Sequence, residues 1–238
     1  MECILTVSRN GSNRHVVLLC LCLMLALSAC ATSRNRPTMG YGYDNASAGN
    51  GEVKDNKPDI WQSDHPRVRH FRNYYSNTRT VRVALENGQR YLPTITKVFE
   101  QQRLPQELAY LPMLESLFEN RATSATGARG LWQFIPQTAK HMGLRVGMMV
   151  DDRLNWLKAT KAAARYLDSL GNQFNYNWAL ALAAYNGGPS YVEQAMRSQR
   201  SWNFWDLRLR RETTEYVPRF IAMVQVARER YRNLTPTL

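Results

Sequence analysis

Apolar residues recur at steps of three and four between Val81 and Phe99. Val81, Ala84, Leu85, Gly88, Tyr91, Leu92, Ile95, Val98 and Phe99 form one stripe of an amphipathic helix. Pro93 falls inside the stripe and predicts a kink or a split. A helix restarts at "RLPQEL" with Pro105 in its first position and runs through Leu108, Leu111 and Leu114, with Glu115 near its end. Residues 119–130, "ENRATSATGARG", have the Ser, Thr, Asn and Gly content of a loop. Further helices are predicted at about 136–142, 155–170 and 177–185, with a short one from about Tyr191; Gly187 and Gly188 close the third as a C-cap. A last helix opens near Thr213 or Thr214, has Pro218 early, and continues through Val217, Phe220, Ile221, Val224, Ala227 and Tyr231. Strict alternation is nowhere sustained, so the predicted fold class is all-α.

The N-terminal third has a different pattern. Arg9, Arg14 and His15 precede twelve consecutive apolar residues, Val16 to Leu27, too few to span a bilayer comfortably as a helix but suited to the h-region of a secretory signal. The run ends in "LSAC", which resembles the lipobox of bacterial lipoproteins. That resemblance implies a signal peptide over 1–29, lipidation of Cys30, and, with Ala31 rather than Asp following, the periplasmic face of the outer membrane. From 30 to 64 the chain is polar and poor in aliphatics; such a stretch cannot bury enough apolar surface to offset its chain entropy, and a flexible tether is expected. Residues 65–238 are then the folded domain.

Charge and cysteine content refine this picture. The formal charge of +12 over 238 residues points to an anionic partner without choosing among nucleic acid, membrane and acidic polymer. Cys3, Cys20 and Cys22 fall in the signal and Cys30 would carry lipid, so the mature domain has no disulfide and no thiolate metal site. His65, His70 and His141 form no HExxH and no paired metal spacing, and neither a GxSxG elbow nor a phosphate loop occurs. No metal or cofactor is expected. Acid–base chemistry by a carboxylate is the main catalytic possibility. Glu115 is the candidate: flanked by Leu111, Leu114, Leu117 and Phe118, it could keep its proton near neutrality and protonate a leaving-group oxygen. A solvated glutamate on a helix face is the plainer alternative, and Glu119 is a conceivable partner.

Four short segments in order change that balance: "ES" at Glu115-Ser116, "GLWQF" at 130–134, "AAYNGG" at 183–188 and "ETTEYV" at 212–217. Together, over about Gly88 to Tyr231, they resemble the lytic transglycosylases of bacterial cell walls, nearest to the membrane-bound type D group. The resemblance implies a lysozyme-like helical domain with a glycan-binding groove, and peptidoglycan strands as substrate. The β-1,4 bond between N-acetylmuramic acid and N-acetylglucosamine would be cut without water, leaving 1,6-anhydromuramyl ends. It implies Glu115 as acid and then base; Ser124 as the residue orienting sugar and reacting group; Gln133, Tyr185 and Asn186 as lining; and Tyr216 as reaching the glutamate or the substrate. Ser116 is expected to support the helix end. Tyr185 and Asn186 also have a structural alternative, packing and capping at a helix end, and Trp132 either stacks on sugar or fills the core. Two departures stand out: Asn120 replaces a proline found in many relatives, and the chain stops at Leu238, where type D relatives often continue into LysM modules.

Two rival readings share the fold. A hydrolytic muramidase of goose-lysozyme type would need a second acid, for which Glu119 and Asp151/Asp152 are the candidates. A wall-binding protein without turnover would not need Glu115. Nucleic acid is not expected as a partner, because the export signal argues against it and no helix interleaves Arg with aromatic residues. The eight arginines between Arg200 and Arg232 read as a solvated helix face that also favours anionic peptide stems or lipid headgroups.

Overall fold

The computed structural model describes residues 59–235, and among them the regular structure is helical. The helices are α1 (Pro66–Ser76), α2 (Thr80–Gly88), α3 (Leu92–Gln101), α4 (Pro112–Ser116), α5 (Pro136–His141), α6 (Trp156–Gln173), α7 (Trp178–Gly187), α8 (Pro189–Gln199) and α9 (Arg211–Arg230). The signal region, Cys30 and most of the expected tether lie outside the described residues.

Local chemistry sets most helix starts. Proline occupies the first turn of α1, α3, α4, α5 and α8, where its missing N–H would be unpaired anyway. Asn155 and Asn177 accept the backbone N–H groups of Lys158 and Leu180, capping α6 and α7. The stripe around Pro93 is split rather than kinked: α2 stops at Gly88 and α3 begins at Leu92, with Pro93 in its first turn. Gly88 is where Phe118 packs, since a Cβ there would lie 2.9 Å from the phenyl ring.

The core is organised on α7 and α9. Residues 179–184 of α7, "ALALAA", are buried on every side, as expected for a helix without a polar face. Helices α6, α8 and α9 pack around it, and the alanines let their backbones approach. Helix α9 also packs along α1 and buries Val217, Phe220, Ile221 and Val224.

Two expectations need correction. The single helix predicted from Pro105 through Glu115 is two pieces, a 3-10 turn over Gln106–Tyr110 followed by α4. Pro112 has no N–H to give the carbonyl of Leu108; Leu111 N takes that carbonyl at 3.1 Å instead, and the helix restarts. The folded body also begins before residue 65. Trp61 is buried edge-on against Phe220, with ring centroids 5.9 Å apart, and Gln225 Nε2 donates to the carbonyls of Trp61 (3.1 Å) and Ser63 (3.0 Å). One buried tryptophan outweighs the polar composition around it.

The segment between α4 and α6 is held by charge. Arg153, 5% exposed, pairs with Asp151 through Nε and Nη2, while its Nη1 donates to the carbonyls of Gly127 (2.7 Å) and Phe134 (3.1 Å). Arg129 also reaches Asp151, and Arg145 and Lys158 hold Asp152. These partners keep both aspartates well below the usual carboxylate range, the Arg153 side chain being the largest cause for Asp151 and that of Arg145 for Asp152. Both are therefore structural anions of this loop. Arg153→Met would leave Asp151 with Arg129 alone and remove a donor from two carbonyls; a loss of about 3 kcal/mol is expected in chemical unfolding. An unchanged unfolding curve would show that the loop does not depend on this guanidinium.

Candidate active site

Glu115 sits in the last turn of α4, which ends abruptly. Leu117 and Phe118 both adopt left-handed backbone, at φ 51° and 57°, and turn the chain away directly after the glutamate. Such conformations are uncommon for bulky residues and persist where surrounding packing imposes them. Phe118 is buried and seated at Gly88, and Asn87 Nδ2 donates to Leu117 O at 3.0 Å. Ser116 Oγ, fully buried, donates to Leu131 O at 2.9 Å and ties the end of α4 to residues 130–134, the supporting role expected for it.

Across from α4, the hydroxyl of Tyr216 on α9 donates a hydrogen bond to Glu115 Oε1. Tyr185, near the end of α7, donates its hydroxyl to Trp132 O at 2.8 Å; its phenol is pushed well above its ordinary value by burial, then by the neighbouring Glu115 and Tyr166. Beside it, Thr213 Oγ1 donates to Asn186 Oδ1 at 2.9 Å and Asn186 Nδ2 donates to Glu212 Oε1 at 3.3 Å, stitching the end of α7 to the start of α9. A cleft of about 360 Å³ adjoins Asn186, lined by Gly187, Gly188, Pro189, Ser190, Tyr191 and Arg210.

Burial pushes the Glu115 carboxyl up to about 7; the Tyr216 hydroxyl opposes that shift, and the charge of Glu212 adds to it. Desolvation is the largest cause, which means the site withholds water from the anion. The group thus sits close to the point where one carboxyl can both donate and accept a proton near neutrality.

The remaining expected site residues fall in the 120–134 loop. Ser124 is buried; its Oγ accepts the Ala128 N–H at 2.9 Å and pairs with Thr126 Oγ1 at 3.0 Å. Gln133, at φ 46°, donates through Nε2 to Gly130 O (2.8 Å) and Ala122 O (3.3 Å). Gly130 must be glycine: its φ is 81°, and a Cβ would fall 2.1 Å from Arg153 O. Trp132 belongs to the core, stacked on Phe99 with its Nε1 donating to Thr160 Oγ1 at 3.1 Å. Among the described residues, no three His, Cys, Asp or Glu side chains group as metal ligands would.

The structure thus gathers Glu115, Tyr216 and Tyr185 directly, with Asn186 joined through Glu212. Glu212 and Thr213 were not singled out from the sequence. Glu212 stands four residues before Tyr216 on one helix, a spacing that puts both on the same face and was open to reading.

A short helix presenting one neutral-poised carboxyl, with tyrosines from two further helices around it, defines an acid–base site on an all-α scaffold. The Transglycosylase SLT domain family matches residues 94–207, which include Glu115, Ser124, Gln133, Tyr185 and Asn186. The chain is similar to membrane-bound lytic murein transglycosylase D of Escherichia coli (strain K12), at 35% identity over 153 residues, 62% of this chain and 34% of that protein. It is also similar to membrane-bound lytic murein transglycosylase F of Idiomarina loihiensis, at 31% identity over 142 residues, 55% and 30% of the two chains. A solved lytic transglycosylase, Slt of Pseudomonas aeruginosa, superposes on 56% of this chain and 23% of its own, with 25% identity and a TM-score of 0.46. The chain spans about a third of the length of the curated relatives it matches.

Glu115 keeps its proton in the folded protein at pH values where the unfolded chain, near 4.5, has lost it. Folding stability therefore declines as pH rises from about 4.5 towards about 7, where the decline is complete. Glu115→Gln removes the titration, so the variant is expected to match wild type near pH 4 and exceed it by up to ~3 kcal/mol above pH 8. Unfolding curves across that range check this; parallel stabilities at all pH values would place the carboxyl in water.

Proposed function

We propose that the chain is a peptidoglycan lytic transglycosylase that cleaves the β-1,4 bond between N-acetylmuramic acid and N-acetylglucosamine and leaves 1,6-anhydromuramyl ends. The observation that carries this is the Glu115 carboxyl, raised to about 7 and held by Tyr216, in a domain matching the SLT family.

The chemistry needs one titrating group used twice. Protonated Glu115 gives its proton to the glycosidic oxygen as the bond to the anomeric carbon breaks. The substrate's 2-acetamido group supports the positive charge left behind. The carboxylate then takes the proton of the muramyl 6-hydroxyl, whose oxygen bonds to the anomeric carbon, and Glu115 returns to its starting form. No water is consumed. Attack by a hydroxyl of the same sugar makes the second step intramolecular, which carries a large proximity advantage. Tyr216 fixes the carboxyl through its hydrogen bond, and Glu212 favours the protonated starting state. Tyr185, Asn186, Gln133 and Ser124 line the substrate path in this reading.

Glu212 favours one second reading, a hydrolytic muramidase in which this neighbouring carboxylate activates water. Its hydrogen bond to Asn186 and its effect on Glu115 suit the first reading better. Purified peptidoglycan digested by the protein should yield muropeptides one water lighter than hydrolytic products by mass spectrometry, and none with Glu115→Gln. Full-mass reducing ends would make it a muramidase and turn attention to Glu212. No products at all would leave a wall-binding role.

The same proposal places the protein at the outer membrane, anchored by lipid on Cys30. No helix among the described residues is long and apolar enough to cross a membrane, and several relatives are named as membrane-bound. Cys30→Ala is expected to abolish radiolabelled palmitate incorporation and move the protein out of the membrane fraction. Unchanged fractionation and labelling would overturn the anchor.

A further inference from the structure

We propose that the end of the domain remote from Glu115 carries a second glycan-binding surface. It is built from Tyr176, Trp178 and Trp202, and it takes a strand of β-linked N-acetylhexosamines. The choice of ligand rests on the reading of peptidoglycan as substrate.

Helix α7 runs through the core, apolar on every side, so its two ends open on different sides of the domain. Its C-terminal end delivers Tyr185 and Asn186 to the site. Its N-terminal end, roughly 15 Å away along a ten-residue helix, meets Tyr176, Trp178 and the loop carrying Trp202.

Two of these rings are exposed and Trp178 is half-buried against the core. Trp202 is 58% exposed and Tyr176 45%. The Trp202 loop is closed by Gln199, whose Nε2 donates to Arg208 O (3.0 Å) while its Oε1 accepts Arg208 N–H (2.8 Å). Tyr176 has φ 56° and follows Asn175 at φ 50°, two consecutive left-handed residues that turn the chain into α7. The Tyr176 hydroxyl donates to Asn172 Oδ1 at 2.8 Å, and its ring lies edge-on to Trp178 at 5.9 Å. Gly171 makes room for both, since a Cβ there would sit 2.9 Å from Trp178 and 3.1 Å from Tyr176. Asn177 Nδ2 reaches Trp202 O at 3.4 Å and links the two segments.

The Tyr176 and Trp178 rings, packed edge-on against each other, lose little side-chain freedom on binding, and flat rings suit the apolar C–H faces of pyranose rings. Amides surround them. Asn172 and Gln173 are exposed, and each commits one N–H inside the protein, to Asp168 O and Glu193 Oε1, keeping a second donor for sugar hydroxyl or acetamido groups. A bilayer would engage the rings and leave the amides without partners; a glycan uses both. Such a surface would keep the protein on the wall between cleavage events.

The test compares the full chain with its Trp202→Ala and Tyr176→Ser variants in two assays: cosedimentation with insoluble peptidoglycan, and muropeptide release from soluble strands. Retention should weaken about fivefold to tenfold in either variant, as for truncation of a central aromatic anchor, with release from soluble strands unchanged in both and the thermal midpoint unchanged in Trp202→Ala. Excess N-acetylglucosamine hexamer should displace the wild type from the wall but have little further effect on Trp202→Ala. Wild-type retention by both variants overturns the proposal, as does displacement by anionic vesicles and not by the hexamer. Retention that depends on Trp202 in a protein that releases no muropeptides would leave this surface standing and sink the catalytic reading.

Discussion

A carboxyl kept out of water, with no cation among the described residues shifting it, is the constraint around which this domain is arranged. An ion pair would have made Glu115 an ordinary anion, as Arg153 does for Asp151. It accepts a hydrogen bond instead from a neutral phenol on α9, 101 residues along the chain. Removing water without supplying charge takes packing from several directions. Helix α4 gives the backbone, residues 130–134 its lower support through Ser116, α7 contributes Tyr185, and α9 brings Tyr216 and Glu212.

The distribution of charge follows the same logic. Cations crowd the 120–158 region, where Arg129, Arg145, Arg153 and Lys158 neutralise Asp151 and Asp152 and hold an irregular loop in place. Rigid loop and neutral site are separate solutions to opposite problems. The largely buried Arg153–Asp151 pair ties down the segment that carries Gly130 and Gln133, through the guanidinium's hydrogen bonds to Gly127 O and Phe134 O.

Much of the fold was legible in periodicity. The stripe from Val81 to Phe99, the helix starts placed at about 155 and 177, and the Gly187-Gly188 stop all correspond to observed helix bounds. Pro112 was not weighed, so α4 was merged with the turn before it; a proline in a Leu-rich run is easily overlooked when hydrophobic spacing is followed alone. Trp61 was hidden by its polar neighbours, because burial of one large ring depends on a partner 159 positions away that local composition does not reveal. Within the site, Glu115 was suggested by its apolar flanks, and its pairing with Tyr216 came only with the family resemblance. Which anion lies beside Glu115 was not legible: Glu119 and the two aspartates were considered, and the neighbour is Glu212, brought there by the packing of α9 against α4.

The clamp formed by Gln225 on the carbonyls of Trp61 and Ser63 has a mechanical meaning. Any pull on the chain preceding Asp59 enters the domain at this point and loads α9 through Phe220 and Gln225. Phe220 is one helical turn from Tyr216. Tension applied upstream of Asp59 is therefore borne by the same helix whose Tyr216 holds the Glu115 carboxyl.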